Sequence, residues 1–264
     1  MNTENTGNQS NNKSAIVMLN DLRNKLKAGD AAIGVWQMTG DVNTTCVMAS
    51  LGFDWIVVDL EHSMIDLGRV ESIFIAAERY DVVPLVRLPN MDPYLARRLL
   101  DSGAQGILIP VVEEAENLSE FIEHCLYPPK GKRGLGLIRP NLWGDELEKY
   151  YAEFKPLIIP QIETLKGYEN LGEILDEDAV DGIFIGPYDL SANIGLPGQL
   201  EHPKMKKILS GIKKITSEKN KFVGIHQVEP DKESLNNKIE DGYNFVAFST
   251  DTVAIRYALQ GILE

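Results

Sequence analysis

PLIIPQIETLKGYENLGEILDEDAVDGIFIGPYDL, residues 156–190, shows the strand–helix–strand alternation that runs through the whole chain. It opens on a continuous apolar run, PLIIPQIE (156–163). It passes through a stretch with helical spacing, GYENLGEILDED (167–178), and closes on a second apolar run, GIFIGPYDL (182–190). A run without polar alternation suits a strand buried on both faces, and such strands form parallel sheets joined by helices. Each run ends on carboxylates, Glu163 after the first and Asp189 after the second.

Six more runs of the same kind flank this unit: AIGVW (32–36), WIVVDLE (55–61), VPLVRLP (83–89), GILIPVV (106–112), FVGIHQ (222–227) and FVAFSTD (245–251). Helical patterns separate them, including LGRVESIFIAAERYD (67–81), PYLARRLLDSG (93–103), EEAENLSEFIEHCLY (113–127) and HPKMKKILSGIKKITSEKN (202–220), and AIRYALQGILE (254–264) closes the chain. Eight strand–helix alternations in one chain of 264 residues predict an α/β protein, a single-domain (β/α)8 TIM barrel over residues 15–264. A doubly wound sheet is the alternative, but QMTGDVN (37–43) after the first run is no G-x-G-x-x-G turn. Residues 1–14, MNTENTGNQSNNKS, read as a disordered polar leader without the features of a signal peptide. One connection, 128–155, is long for a barrel and carries Lys130, Lys132, Arg133 and Arg139.

Composition narrows the function. With 26 Lys and Arg against 39 Asp and Glu, the net charge is −13, which disfavours nucleic acid and anionic lipid as partners. No apolar run approaches the roughly 20 residues of a membrane span. Two cysteines, Cys46 and Cys125, make neither a disulfide framework nor a metal motif. A cytoplasmic protein is expected.

Barrel enzymes place their chemistry at the C-terminal ends of the strands. Those ends carry Asp59, Glu61 and His62, then Arg87, then Gln161 and Glu163, then Asp189, then His226 and Gln227, then Thr250 and Asp251. Glu163 and Asp189 come from consecutive strands and either hold a hard divalent cation or are surface carboxylates and helix caps. His62 is a candidate general base or a hydrogen-bonded loop residue. Arg87 meets an anion in the pocket or pairs with Asp59 or Glu61. His226 lines the pocket or packs in the barrel. Together the carboxylates, base and guanidinium suit chemistry on a 2-oxo acid. No Lys ends the fifth or sixth run, which disfavours a Schiff-base mechanism.

Six segments carry a resemblance to a known family: GFDWIVVDLEHS (52–63), PLVRLPNMDP (84–93), LLDSGAQGILIPVVEEAE (99–116), YPPKGKRGLG (127–136), PQIETLKGYENLGEIL (160–175) and VDGIFIGPYDLSANIGLPG (180–198). The chain resembles the HpcH/HpaI class II pyruvate aldolases over residues 20–260. The resemblance implies reversible, metal-dependent cleavage of a 4-hydroxy-2-oxo acid, a diacid or a 2-keto-3-deoxy sugar acid, to pyruvate and an aldehyde. It implies Glu163 and Asp189 as ligands of Mg²⁺, Mn²⁺ or Co²⁺, and Gln161, Gly186 and Tyr188 as the 2-oxo acid site. It implies Arg87 as the stabiliser of the enolate and His62 as the base, paired with Asp101 of a neighbouring subunit. A homohexamer, a trimer of dimers with exchanged helices, is implied as well. Leu60 and Tyr188 depart from the family's usual residues, and Arg133 is a candidate for a substrate carboxylate or a subunit contact. A citrate-lyase-β or malyl-CoA-type lyase and a non-catalytic 2-oxo-acid-binding barrel are the other readings.

Overall fold

A computed structural model describes residues 13–263. Eight parallel strands close into a barrel in sequence order. They are β1 (Ala32–Gln37), β2 (Trp55–Asp59), β3 (Val83–Arg87), β4 (Gly106–Ile109), β5 (Leu157–Ile162), β6 (Gly182–Ile185), β7 (Phe222–Gln227) and β8 (Phe245–Thr250). Around them run α1 (Ala15–Lys27), α2 (Val42–Ala49), α3 (Leu67–Glu78), α4 (Pro93–Asp101), α5 (Ala115–Cys125), α6 (Leu147–Glu153), α7 (Leu165–Glu169), α8 (Leu171–Asp176), α9 (Pro187–Asn193), α10 (Pro203–Glu218), α11 (Lys232–Glu240) and α12 (Asp251–Leu259). The TIM barrel expected from the strand runs is the fold observed. No described helix is long and apolar enough to cross a membrane.

Aromatic rings fill the barrel in two tiers, and glycines make the room. Trp55 stacks on Phe245 at 4.2 Å, and Phe222 tilts against Phe245 at 4.9 Å. Nearer the mouth, Trp36 packs on Phe184 at 5.3 Å and on the His226 ring at 5.1 Å. A Cβ at Gly34 would lie 2.0 Å from the Trp55 ring, so β1 has room for no side chain there.

Three helices lie outside the periodic patterns read above: α1, α6 in the long connection, and α9. α1 precedes the first strand. Ser14 caps it, accepting from the Val17 N–H, and it buries Met18, Leu19, Leu22 and Leu26. Arg23 and Lys25 tie it to the barrel through Asp181 and Asp54. Of the proposed leader, residues 1–12 lie outside the described residues. α9 is short and begins with Pro187, whose missing N–H costs nothing at a helix start.

The long 128–155 connection carries a 3-10 turn over Arg139–Gly144 and then α6. Its cations are largely committed within the chain. Arg139 pairs with Glu78 at 2.5 Å, Lys132 with Glu123, and Arg133 with Asp101 at 2.7 Å.

Candidate active site

β-sheet register builds the centre of the site. Asp59 and Arg87 are register partners at the ends of β2 and β3. Arg87 donates from Nε to Asp59 Oδ1 at 3.0 Å and from its terminal nitrogen to Oδ2 at 2.5 Å, a two-point bond that fixes the guanidinium plane. A second terminal nitrogen lies 3.1 Å from Glu61 Oε2, and the guanidinium sits 4.9 Å over the Trp36 ring. Arg87 thus pairs with Asp59 and Glu61 and also lines the cavity.

Asp59 is fully buried. Burial alone would raise its pKa, but Arg87 and the N–H groups of His62 and Glu61 hold the carboxyl below the usual range. Glu61 is shifted upward, chiefly by burial, with the charges of Asp59 and Asp189 adding to it and Arg87 opposing.

The β5–β6 pair supplies the other half. Gln161 and Ile162 pair with Phe184 and Ile185, which brings Glu163 beside Gly186. Glu163 accepts from the Val111 N–H at 2.6 Å and from Gln161 Nε2 at 2.6 Å. A Cβ at Gly186 would lie 2.8 Å from Glu163 Oε2, so the carboxylate fits only beside glycine. Val111 holds φ at 51°, a strained conformation for a β-branched residue. Burial pushes Glu163 above the usual carboxylate range, and the charges of Glu61 and Asp189 push the same way.

A cavity of about 220 Å³ at the barrel mouth brings together His62, Arg87, Gln161, Gly186, Tyr188 and Asp189, together with Trp36, Phe184 and His226. Glu163 lies behind Gln161, nearly buried, and does not line the cavity. His62 is exposed, and its ring nitrogen is 3.9 Å from Glu61 Oε2.

Asp101 lies elsewhere. It ends α4, which runs back from the mouth, so Asp101 sits at the opposite end of the barrel and bonds Arg133. Arg133 does not face the cavity. Its side chain is 1% exposed, packed between Asp101, Tyr127 and Phe154. Within the chain, its role is to hold the long connection to the α4 terminus.

The sequence places Asp59 and Asp251 at strand ends, with Asp59 as a partner for Arg87 and no role for Asp251. Asp251 is buried and accepts from the Met38 and Thr39 N–H groups at 2.9 Å each, closing the β1–α2 loop on the rim. Its place at the end of a strand run was the available signal.

Among the described residues no three His, Cys, Asp or Glu side chains cluster as a metal site. The donor set that is present fits a hard cation with open positions. It comprises Glu163, Asp189 and the side-chain oxygen of Gln161, which is buried without a hydrogen-bond partner. A cation there would also offset the charge crowding that raises Glu163.

The family profile described as HpcH/HpaI aldolase/citrate lyase matches residues 33–258. The chain is similar to a hydroxypyruvate/pyruvate aldolase of Roseobacter denitrificans, with 36% identity covering 88% of this chain and 91% of that protein. It is similar to a 2-keto-3-deoxy-L-rhamnonate aldolase of Escherichia coli, at 33% identity over 92% of this chain and 91% of that one. A solved HpcH/HpaI aldolase/citrate lyase family protein from Burkholderia cenocepacia superposes with a TM-score of 0.83, at 28% identity, covering 93% of this chain and all of that one. Profile, relatives and barrel agree along nearly the full described chain, and on them this protein belongs to the HpcH/HpaI aldolase/citrate lyase family.

Proposed function

We propose that the chain is an aldolase that reversibly cleaves a 4-hydroxy-2-oxo acid to pyruvate, or a close 2-oxo acid, and an aldehyde. The observation that carries this is the Arg87 guanidinium, fixed by Asp59 and Glu61 and facing a cavity whose far wall is Gln161, Gly186 and Asp189. In cleavage a base takes the C4 hydroxyl proton and the C3–C4 bond breaks. Its electron pair moves to the 2-oxo oxygen as an enolate, which is then protonated at C3. Arg87 is pre-oriented for that oxygen, so no reorganisation is needed as charge develops. Gln161 and the backbone at Gly186 and Tyr188 orient the 2-oxo acid. His62, open to the cavity, holds and returns the proton.

Glu163 and Asp189 would hold a divalent cation, Mg²⁺, Mn²⁺ or Co²⁺. When bound, it supplies Lewis-acid polarisation of the 2-oxo acid oxygens.

The hexamer belongs to this reading. Beyond its first residues α12 is exposed, with Ile255, Tyr257 and Leu259 open to solvent. Beside it an apolar groove of about 430 Å³ is lined by Val47, Met48, Leu51 and Phe53. Exchange of this helix between copies would cover both, and association would bring Asp101 of one chain to His62 of another. The two free thiols and acidic surface suit the cytoplasm.

Exchange of pyruvate methyl protons in D₂O, followed by NMR with EDTA and with added Mg²⁺ or Mn²⁺, tests the reading without needing the aldehyde. Metal-dependent exchange is expected. No exchange in the metal-loaded protein would overturn it.

A further inference from the structure

The catalytic cavity does not end at its own wall. Pro187, Tyr188, His226 and Val228 line both it and a second cavity, a cleft of about 620 Å³ between α10 and α11. At about 220 Å³ the first is small beside the roughly 300–1,000 Å³ of sites that enclose a mid-sized ligand. It suits a three-carbon acid. The rest of a longer substrate that leaves past Tyr188 and His226 enters the cleft.

His226 is a fixed acceptor at that passage. Its Nε2 lies 3.1 Å from the Ser249 carbonyl oxygen, which only accepts, so Nε2 carries the hydrogen. Burial holds the imidazole neutral, with its pKa lowered to about 4, and the ring is stacked on Trp36. Nδ1 therefore keeps a lone pair, and no donor among the described residues reaches it.

The cleft itself is polar but balanced. Lys206 pairs with Glu201 at 2.7 Å and Lys213 with Asp241 at 2.6 Å, while Lys238 lies 6.0 Å over the Tyr243 ring with no ion pair among the described residues; with Glu229, three carboxylates face three lysines. A carboxylate or phosphate tail would therefore meet no net positive charge in the lining. A hydroxylated tail finds donors and acceptors side by side, and each hydroxyl can use one of each.

We infer that the aldehyde partner carries a hydroxylated tail, one hydroxyl of which donates to His226 Nδ1 as the tail passes Tyr188 into the α10–α11 cleft. This rests on the aldolase reading and names its acceptor class: a hydroxyaldehyde rather than an aldehyde acid. Tyr188, the residue that departs from the family's usual alanine, forms the facing wall.

The test is steady-state aldol addition by the metal-loaded enzyme with pyruvate and three acceptors: glyceraldehyde, propanal and succinic semialdehyde. Glyceraldehyde is expected to give the highest kcat/KM. The glyceraldehyde-to-propanal ratio is expected to fall about tenfold in His226→Leu and to recover in His226→Asn, which keeps an acceptor. Differences in intrinsic reactivity of the aldehydes cancel in that comparison. A preference for succinic semialdehyde, or an unchanged ratio in folded His226→Leu, would overturn the inference. If neither variant folds, the wild-type ranking of the three acceptors decides. Methyl-proton exchange by the wild type separates the two failures. Exchange with the wrong acceptor preference overturns this inference alone, whereas no exchange overturns the aldolase reading and this one with it.

Discussion

Asp59 and Arg87 depend on each other, and the dependence sets what a substitution does. Asp59 receives five hydrogen bonds, from Trp36, from Arg87 twice and from the N–H groups of Glu61 and His62. Arg87→Lys keeps the charge and loses the two-point geometry. Activity is expected to drop at least about 100-fold, and unfolding free energy by about 2 kcal/mol. Glu163→Gln keeps the volume and the bond from Val111 but removes the charge. Affinity for Mn²⁺, read by titration calorimetry, is expected to weaken at least about 100-fold with activity, because losing even an outer partner of a metal ligand costs about 10–100-fold. The fold should tolerate the change, since burial already raises the pKa of Glu163. His226 gives a pH signature. Burial and the nearby Arg87 charge lower its pKa to about 4 when folded, while an unfolded His titrates near 6.5. Between these values the unfolded chain binds a proton that the folded chain refuses. Stability therefore falls as pH drops from about 6.5 toward 4, by up to roughly 3 kcal/mol from this group. Urea unfolding at pH 7 and pH 4.5 should show a smaller pH difference in His226→Leu than in the wild type.

At the scale of elements, strand register and loop strain place what single residues cannot. Asp59 and Arg87 are 28 positions apart in the chain and meet because β2 and β3 pair them directly. The β4–α5 loop turns its backbone at Val111 to aim an N–H at Glu163, and the Val111 side chain is half exposed. A β-branched residue at this φ costs about 1–3 kcal/mol. Val111→Gly is thus expected to leave stability unchanged or raise it by up to about 1 kcal/mol, against the usual loss for removing a valine side chain. Thermal unfolding checks it, and a loss above about 2 kcal/mol would mean that the side chain packs. Legibility from sequence also divides by element. The eight strands were legible because a buried parallel strand is a short unbroken apolar run. α1, α6 and α9 were not, because one precedes the first strand and the other two are too short to show a period.

The whole molecule leaves its last helix without a covering. The first turn of α12 packs on β1 and β8, and its apolar residues then face outward beside the groove by α2. On the proposed helix exchange, Ile255→Asp combined with Leu259→Asp is expected to sediment as a smaller species than the wild type. On the same proposal activity should fall in parallel, since Asp101 stands at the far end of its own barrel and would act only at the mouth of another copy. An unchanged sedimenting mass in this double variant would argue against helix exchange.

The fold and the make-up of the rim follow from local order. Apolar runs dictate strands, closure brings the strand ends together, and so His62, Arg87, Gln161, Gly186, Tyr188 and Asp189 meet without any contact being known in advance. The sequence could not say that Arg87 is held by Asp59 while still lining the cavity, because that depends on the register of β2 against β3. It could not show that Arg133 is spent on Asp101, nor that the imidazole of His226 is neutral with one nitrogen tied to Ser249. Burial and partner distance decide those states, and both are properties of packed neighbours far apart in the chain.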